Sequence, residues 1–83
     1  MIKKSIDVSL GGDGARPIAM LVQLASQFKS NIELHQGNKV VNAKSIMGMM
    51  TLGLVQGQQL EVSVEGEDEE KAMNEMLTFL TGK

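Results

Sequence analysis

Hydrophobic and polar residues alternate from the start of the chain: Ile2, Ile6, Val8 and Leu10 fall on one side and Lys3, Ser5, Asp7 and Ser9 on the other, with Lys4 out of phase. A period of two predicts a strand over residues 2–10 with one buried and one wet face. Gly11-Gly12-Asp13-Gly14 interrupts it, because glycine enters the tight and left-handed conformations that regular structure excludes. From Ala15-Arg16-Pro17 the period changes. Pro is tolerated in a first helical turn, where its missing N–H is not needed. Ile18, Leu21, Val22, Ala25 and Phe28 then recur at spacings of three and four, which predicts an amphipathic helix ending near residues 29–31.

Ile32 and Leu34 alternate with Glu33 and His35, Gln36-Gly37-Asn38 turns the chain, and Lys39-Val40-Val41-Asn42 returns it, so a hairpin is expected. Next come residues 42–54, Asn-Ala-Lys-Ser-Ile-Met-Gly-Met-Met-Thr-Leu-Gly-Leu, where a hydroxyl residue precedes a run with no charged face. This predicts a second, short helix stopping between Gly53 and Gly57. Leu60, Val62 and Val64 alternate with Glu61, Ser63 and Glu65 as a further strand. Gly66-Glu67-Asp68-Glu69-Glu70 then places acids at the start of a last helix, where they complement its dipole as cap and solvated surface. Its apolar face is Ala72, Met73, Met76, Leu77 and Leu80. The order βαββαβα, with a polar face on each strand, predicts an α+β fold. It is a two-layer open-faced sandwich in which a four-stranded antiparallel sheet carries three helices on one face.

With 83 residues the chain is expected to be one domain spanning positions 1–83. Two Phe and no Trp or Tyr, with a net charge of -2, leave neither stacking residues nor a basic patch, and direct nucleic-acid binding is not expected. There is no Cys, which removes disulfides, thiolate metal sites and thiol catalysis. The start, Met-Ile-Lys-Lys-Ser-Ile-Asp-Val, is no signal peptide, and no apolar run approaches membrane-spanning length; a soluble cytoplasmic protein is the expectation. No nucleophile stands with an activating partner and the acids have no cation-ligand spacing. Gly11 to Gly14 matches no P-loop. The chain is therefore read as a non-enzyme with no catalytic residue, metal or cofactor.

Ser45 stands where a helix N-cap belongs, and its first-turn N–H groups would also receive a phosphate attached there. In so short a helix one stripe is buried. Met49 and Leu52 share the inner side by spacing, which places Ile46, Met47 and Met50 outside. Deformable thioethers beside an acceptor hydroxyl suggest a docking surface with a switchable charge at its edge.

Gly14-Ala15-Arg16-Pro17, Asn42-Ala43-Lys44-Ser45-Ile46-Met47-Gly48 and Gly66-Glu67-Asp68-Glu69 together resemble HPr, the histidine-containing phosphocarrier family of the bacterial sugar phosphotransferase system, over essentially the whole chain. The middle segment is the most specific, resembling the regulatory seryl phosphorylation region of low-GC Gram-positive bacteria. In the phosphocarriers a His precedes Ala-Arg-Pro; here that position is Gly14, which has no side chain to phosphorylate. Loss of the carrier His with retention of the seryl region is similar to the Crh, or catabolite repression HPr-like, branch. The resemblance implies phosphorylation of Ser45 by HPr kinase/phosphorylase and corepressor action on a catabolite control protein A-like regulator in carbon catabolite repression. It implies a docking face of Ile46, Met47 and Met50 and a polar contact from Arg16. Two alternatives stay open: a phosphocarrier HPr, or a variant of one with the carrier His replaced, and an HPr-like interaction domain in which Ser45 is only a cap. A monomer is expected, with the glycine-rich segment a candidate hinge for a strand-swapped dimer.

Overall fold

The alternating segments pair as one sheet. The computed structural model describes residues 1–9, 15–53 and 57–82, with the side chains of residues 15–17 excluded; the readings at Leu10, at Gly11 to Gly14 and at Leu54 lie outside it. The elements run β1 (Ile2–Asp7), α1 (Ala15–Ala25), β2 (Asn31–Gln36), β3 (Lys39–Asn42), α2 (Ile46–Leu52), β4 (Gln59–Glu65) and α3 (Glu69–Thr81). The strands form an antiparallel sheet in the order β1-β4-β2-β3. β1 pairs with β4 from Ile2↔Val64 to Asp7↔Gln59, and β4 with β2 from Asn31↔Glu65 to His35↔Glu61. β2 and β3 form the expected hairpin, closed by Gly37 at φ 57 and Asn38.

Alternation puts Ile32, Leu34, Leu60, Val62 and Val64 on the inner face. They pack against Ile18, Leu21 and Ala25 of α1, Met49 and Leu52 of α2, and Ala72, Met73, Met76 and Leu80 of α3. The three helices cover this one face, as expected. Lys4 is the out-of-phase residue, and because β1 is an edge strand it escapes to solvent in a groove beside Glu70, Met73 and Asn74. β4 departs from the expected wet face at Ser63, which is buried at 4% exposure between its register partners Lys3 and Glu33. A strand flanked on both sides is shielded by its neighbours even on the polar face.

Two boundaries fall short of the expected ones. β1 ends at Asp7 rather than running to Leu10. Val8 still donates its N–H to the Gln58 carbonyl at 2.8 Å, but the N–H of Ser9 goes to the Leu80 carbonyl at 2.8 Å, so the chain turns towards the end of α3. Likewise α1 stops at Ala25, not near residues 29–31. Its exit tightens, with Gln27 N–H on the Leu24 carbonyl at 3.1 Å and Phe28 N–H on the Ala25 carbonyl at 3.2 Å. The next donors are then taken by a distant acid. Asp68 accepts the N–H of Lys29 at 2.9 Å and of Ser30 at 3.0 Å, and also the Ser30 hydroxyl.

The acidic run lies at the start of α3 as expected, with Glu67 and Glu70 exposed and Glu69 and Glu70 in the first turn. Asp68 alone departs from the reading, standing at the N-cap position with a carboxylate that makes no bond into the helix. Glu69 reaches back to the Gly66 N–H at 3.1 Å, which holds its carboxyl below the usual range. The Ser30 hydroxyl, followed by the Lys29 N–H, draws the Asp68 carboxyl down from 3.8 to about 2. Because that pKa is depressed by folding, protons prefer the unfolded chain. The stabilisation is thus complete above about pH 4 and is lost as pH falls through about 2. Thermal unfolding of the parent and of Asp68→Asn should show a constant gap above about pH 4 that narrows towards about pH 2.

Candidate functional site

α2 is held to the core by two residues. Met49 is fully buried and Leu52 is 7% exposed, three positions on. Ser45 precedes the helix in extended conformation, φ -102 and ψ 113, and is exposed. Its Oγ accepts the Gly48 N–H at 3.2 Å and its carbonyl accepts the Met49 N–H at 2.9 Å. Ser45 is thus an N-cap whose hydroxyl remains open to solvent.

The approach to Ser45 is fixed by residues that sequence reasoning did not single out. Asn42 Oδ1 accepts the Lys44 N–H at 2.8 Å, and the Asn42 carbonyl accepts the Ser45 N–H at 2.9 Å. Asn two residues before a bonded N–H is an Asx turn, the local signal that identifies it. Lys44 Nζ donates to the Phe28 carbonyl at 2.7 Å, so its charge is directed to the loop after α1. A Cβ at Gly48 would lie 3.4 Å from Ser45 Oγ and 3.6 Å from the Val41 Cβ, ordinary contact distances, so the glycine is not required for space.

Ile46, Met47 and Met50 lie outside as the spacing predicts, at 45%, 77% and 62% exposure. Together with Ser45 they place a hydroxyl acceptor and an uncovered apolar surface on the same short segment. α1 packs against α2 and adds another exposed methionine, Met20. Arg16 lies in the first turn of α1, its side chain outside the described residues. Gly14 is also outside them. His35 lies on the sheet face away from the helices, as expected. Its register partners are Val40 and Glu61, and its Nε2 lies 3.4 Å from Glu33 Oε1.

Among the described residues no group of three His, Cys, Asp or Glu is arranged to hold a metal ion. None of the described helices is long and apolar enough to cross a membrane.

Comparison with known proteins covers nearly the full length. The family model for the phosphorylation site of the phosphotransferase-system HPr component matches residues 6–81. The HPr-like protein Crh of Halalkalibacterium halodurans is 42% identical over 81 residues, 96% of each chain. Among solved structures, HPr from Thermoanaerobacter tengcongensis superposes with a TM-score of 0.88 at 41% identity, covering 100% of this chain and 98% of that one. Crh of Bacillus subtilis, an intertwined dimer with a swapped domain, gives 0.78 at 36% identity over 94% of this chain and 86% of that one.

Proposed function

This chain belongs to the HPr family, whose members are non-enzymatic phosphocarrier or regulatory proteins, and on that premise we propose that it is a regulatory member that works through Ser45 rather than through a phosphohistidine. HPr kinase/phosphorylase phosphorylates the Ser45 hydroxyl, and the modified protein acts in the cytoplasm as corepressor of a catabolite control protein A-like regulator in carbon catabolite repression. The observation that carries this reading is the exposed Ser45 acceptor beside exposed Ile46, Met47 and Met50 on a helix anchored by Met49 and Leu52.

Phosphorylation adds a charge of about -1.5 to -2 and three acceptor oxygens. Lys44 is held by the Phe28 carbonyl, so the new charge is presented outward, for Arg or Lys of a partner. The apolar face beside it fills that partner's groove, with Arg16 supplying a polar contact. Gly14 offers no imidazole, and transfer from phosphoenolpyruvate through the general phosphotransferase enzyme is expected to fail. In this reading β1, an edge strand that pairs with β4, is also the element exchanged if two copies swap a strand; the Bacillus subtilis relative is itself a dimer with a swapped domain.

Intact mass after incubation with HPr kinase/phosphorylase and ATP tests the proposal. The parent should gain one phosphate and Ser45→Ala none. The cap bond from the Gly48 N–H favours the rival reading, in which Ser45 serves α2 alone; no gain by the parent would establish it. Gain by both proteins would place the modification elsewhere.

A further inference from the structure

We infer that Met47 and Met50 form an oxidation-sensitive modification site whose conversion to sulfoxide switches off the α2 face. The inference rests on the docking role proposed for that face. The chain contains seven Met and no Cys, so no thiol of its own intercepts a two-electron oxidant before the thioethers do. The helix sorts its methionines sharply: Met47 and Met50 are 77% and 62% exposed, while Met49 between them is fully buried. In α3 Met73 and Met76 are 1% and 0% exposed. Oxidant access follows exposure, so chemistry at α2 falls on the two side chains that pack least against the core.

The step needs only a peroxide. The thioether sulfur attacks one peroxide oxygen, the O–O bond breaks, a sulfur–oxygen bond forms, and the peroxide is reduced to water as the sulfur loses two electrons. A flexible apolar side chain becomes a polar, chiral one. Because Met49 and Leu52 hold α2 to the sheet, oxidation alters the surface and leaves the fold in place. A groove that accepted thioethers must then bury a sulfoxide oxygen without a partner. Methionine sulfoxide reductases, acting on the two sulfoxide epimers with a dithiol reductant, restore the surface.

The test uses the full chain, phosphorylated at Ser45, with limiting hydrogen peroxide. Peptide mass mapping should show Met47 and Met50 gaining one oxygen each at least about tenfold faster than Met49, Met73 and Met76, with an unchanged circular dichroism spectrum. Equal rates would overturn the site, whether or not a partner binds. Affinity for the catabolite control protein A-like regulator should fall about tenfold or more on oxidation and return after treatment with both reductases. Met47→Leu/Met50→Leu, compared with its own unoxidised form because both residues lie in the docking face, should lose less than about twofold in affinity on peroxide treatment, even though exposed Met1 and Met20 are still oxidised. Unchanged affinity of the oxidised parent, or an equal loss in the double variant, would overturn the switch. If the unoxidised phosphoprotein binds no better than the unmodified protein, the docking reading fails and the switch with it, while the rates still decide the site.

Discussion

Gly66→Ala is expected to lower the melting temperature by roughly 12 °C or more, a larger loss than any change on the exposed face of α2. Gly66 has φ +153, outside the range that L side chains favour, and a Cβ there would lie 2.6 Å from both Cα and Oγ of Ser30. Ser30 is fully buried and is held through its N–H and hydroxyl by Asp68. The added methyl thus meets backbone that has nowhere to move without breaking the link between the α1–β2 loop and the start of α3. Backbone strain of about 1–3 kcal/mol adds to that displacement. About 3 kcal/mol in total is consistent with the shift expected for a chain of this size. Differential scanning calorimetry of the parent and the variant measures it, and a change of a degree or two would show that the loop accommodates the methyl.

Met49→Ala should cost about 2–5 kcal/mol, while Met50→Ala, one residue further on, should change stability by less than about 0.5 kcal/mol. Met49 is fully buried and Met50 is 62% exposed, so truncation leaves a cavity at the first and nothing at the second. The functional consequences should be reversed in character. On the function proposed above, Met50→Ala should leave a folded protein that the kinase still modifies at Ser45 but that binds the regulator more weakly. Met49→Ala loosens α2 itself. Because Met49 also supplies the carbonyl that receives the Gly53 N–H at 3.0 Å, the backbone bond is retained and the loss is that of packing. Urea unfolding separates the two variants, and equal midpoints would contradict the assignment of inner and outer faces.

Much of the fold was legible because the alternation is clean. Leu60, Val62 and Val64, or Met49 and Leu52, declare their faces from spacing alone, and the observed burial follows them. What was not legible depends on partners distant in sequence. The early end of α1 is set by Asp68, which takes the N–H groups of Lys29 and Ser30 from 39 and 38 residues away; no local signal near residue 26 announces it. Ser63 has the pattern of an exposed residue, and only the strand order β1-β4-β2-β3 shields it. At the candidate site the cap and the outward methionines could be read from the chain. The commitment of Lys44 to the Phe28 carbonyl could not, since it joins two loops that sequence separates.

The most direct measurement is calorimetric binding of catabolite control protein A to this protein with and without phosphate on Ser45. A phosphate displayed beside the Ile46, Met47 and Met50 face predicts at least about tenfold tighter binding by the modified form, the equivalent of about 1.4 kcal/mol from new charge-assisted hydrogen bonds. Equal affinities would contradict it and would leave Ser45 as the cap of α2.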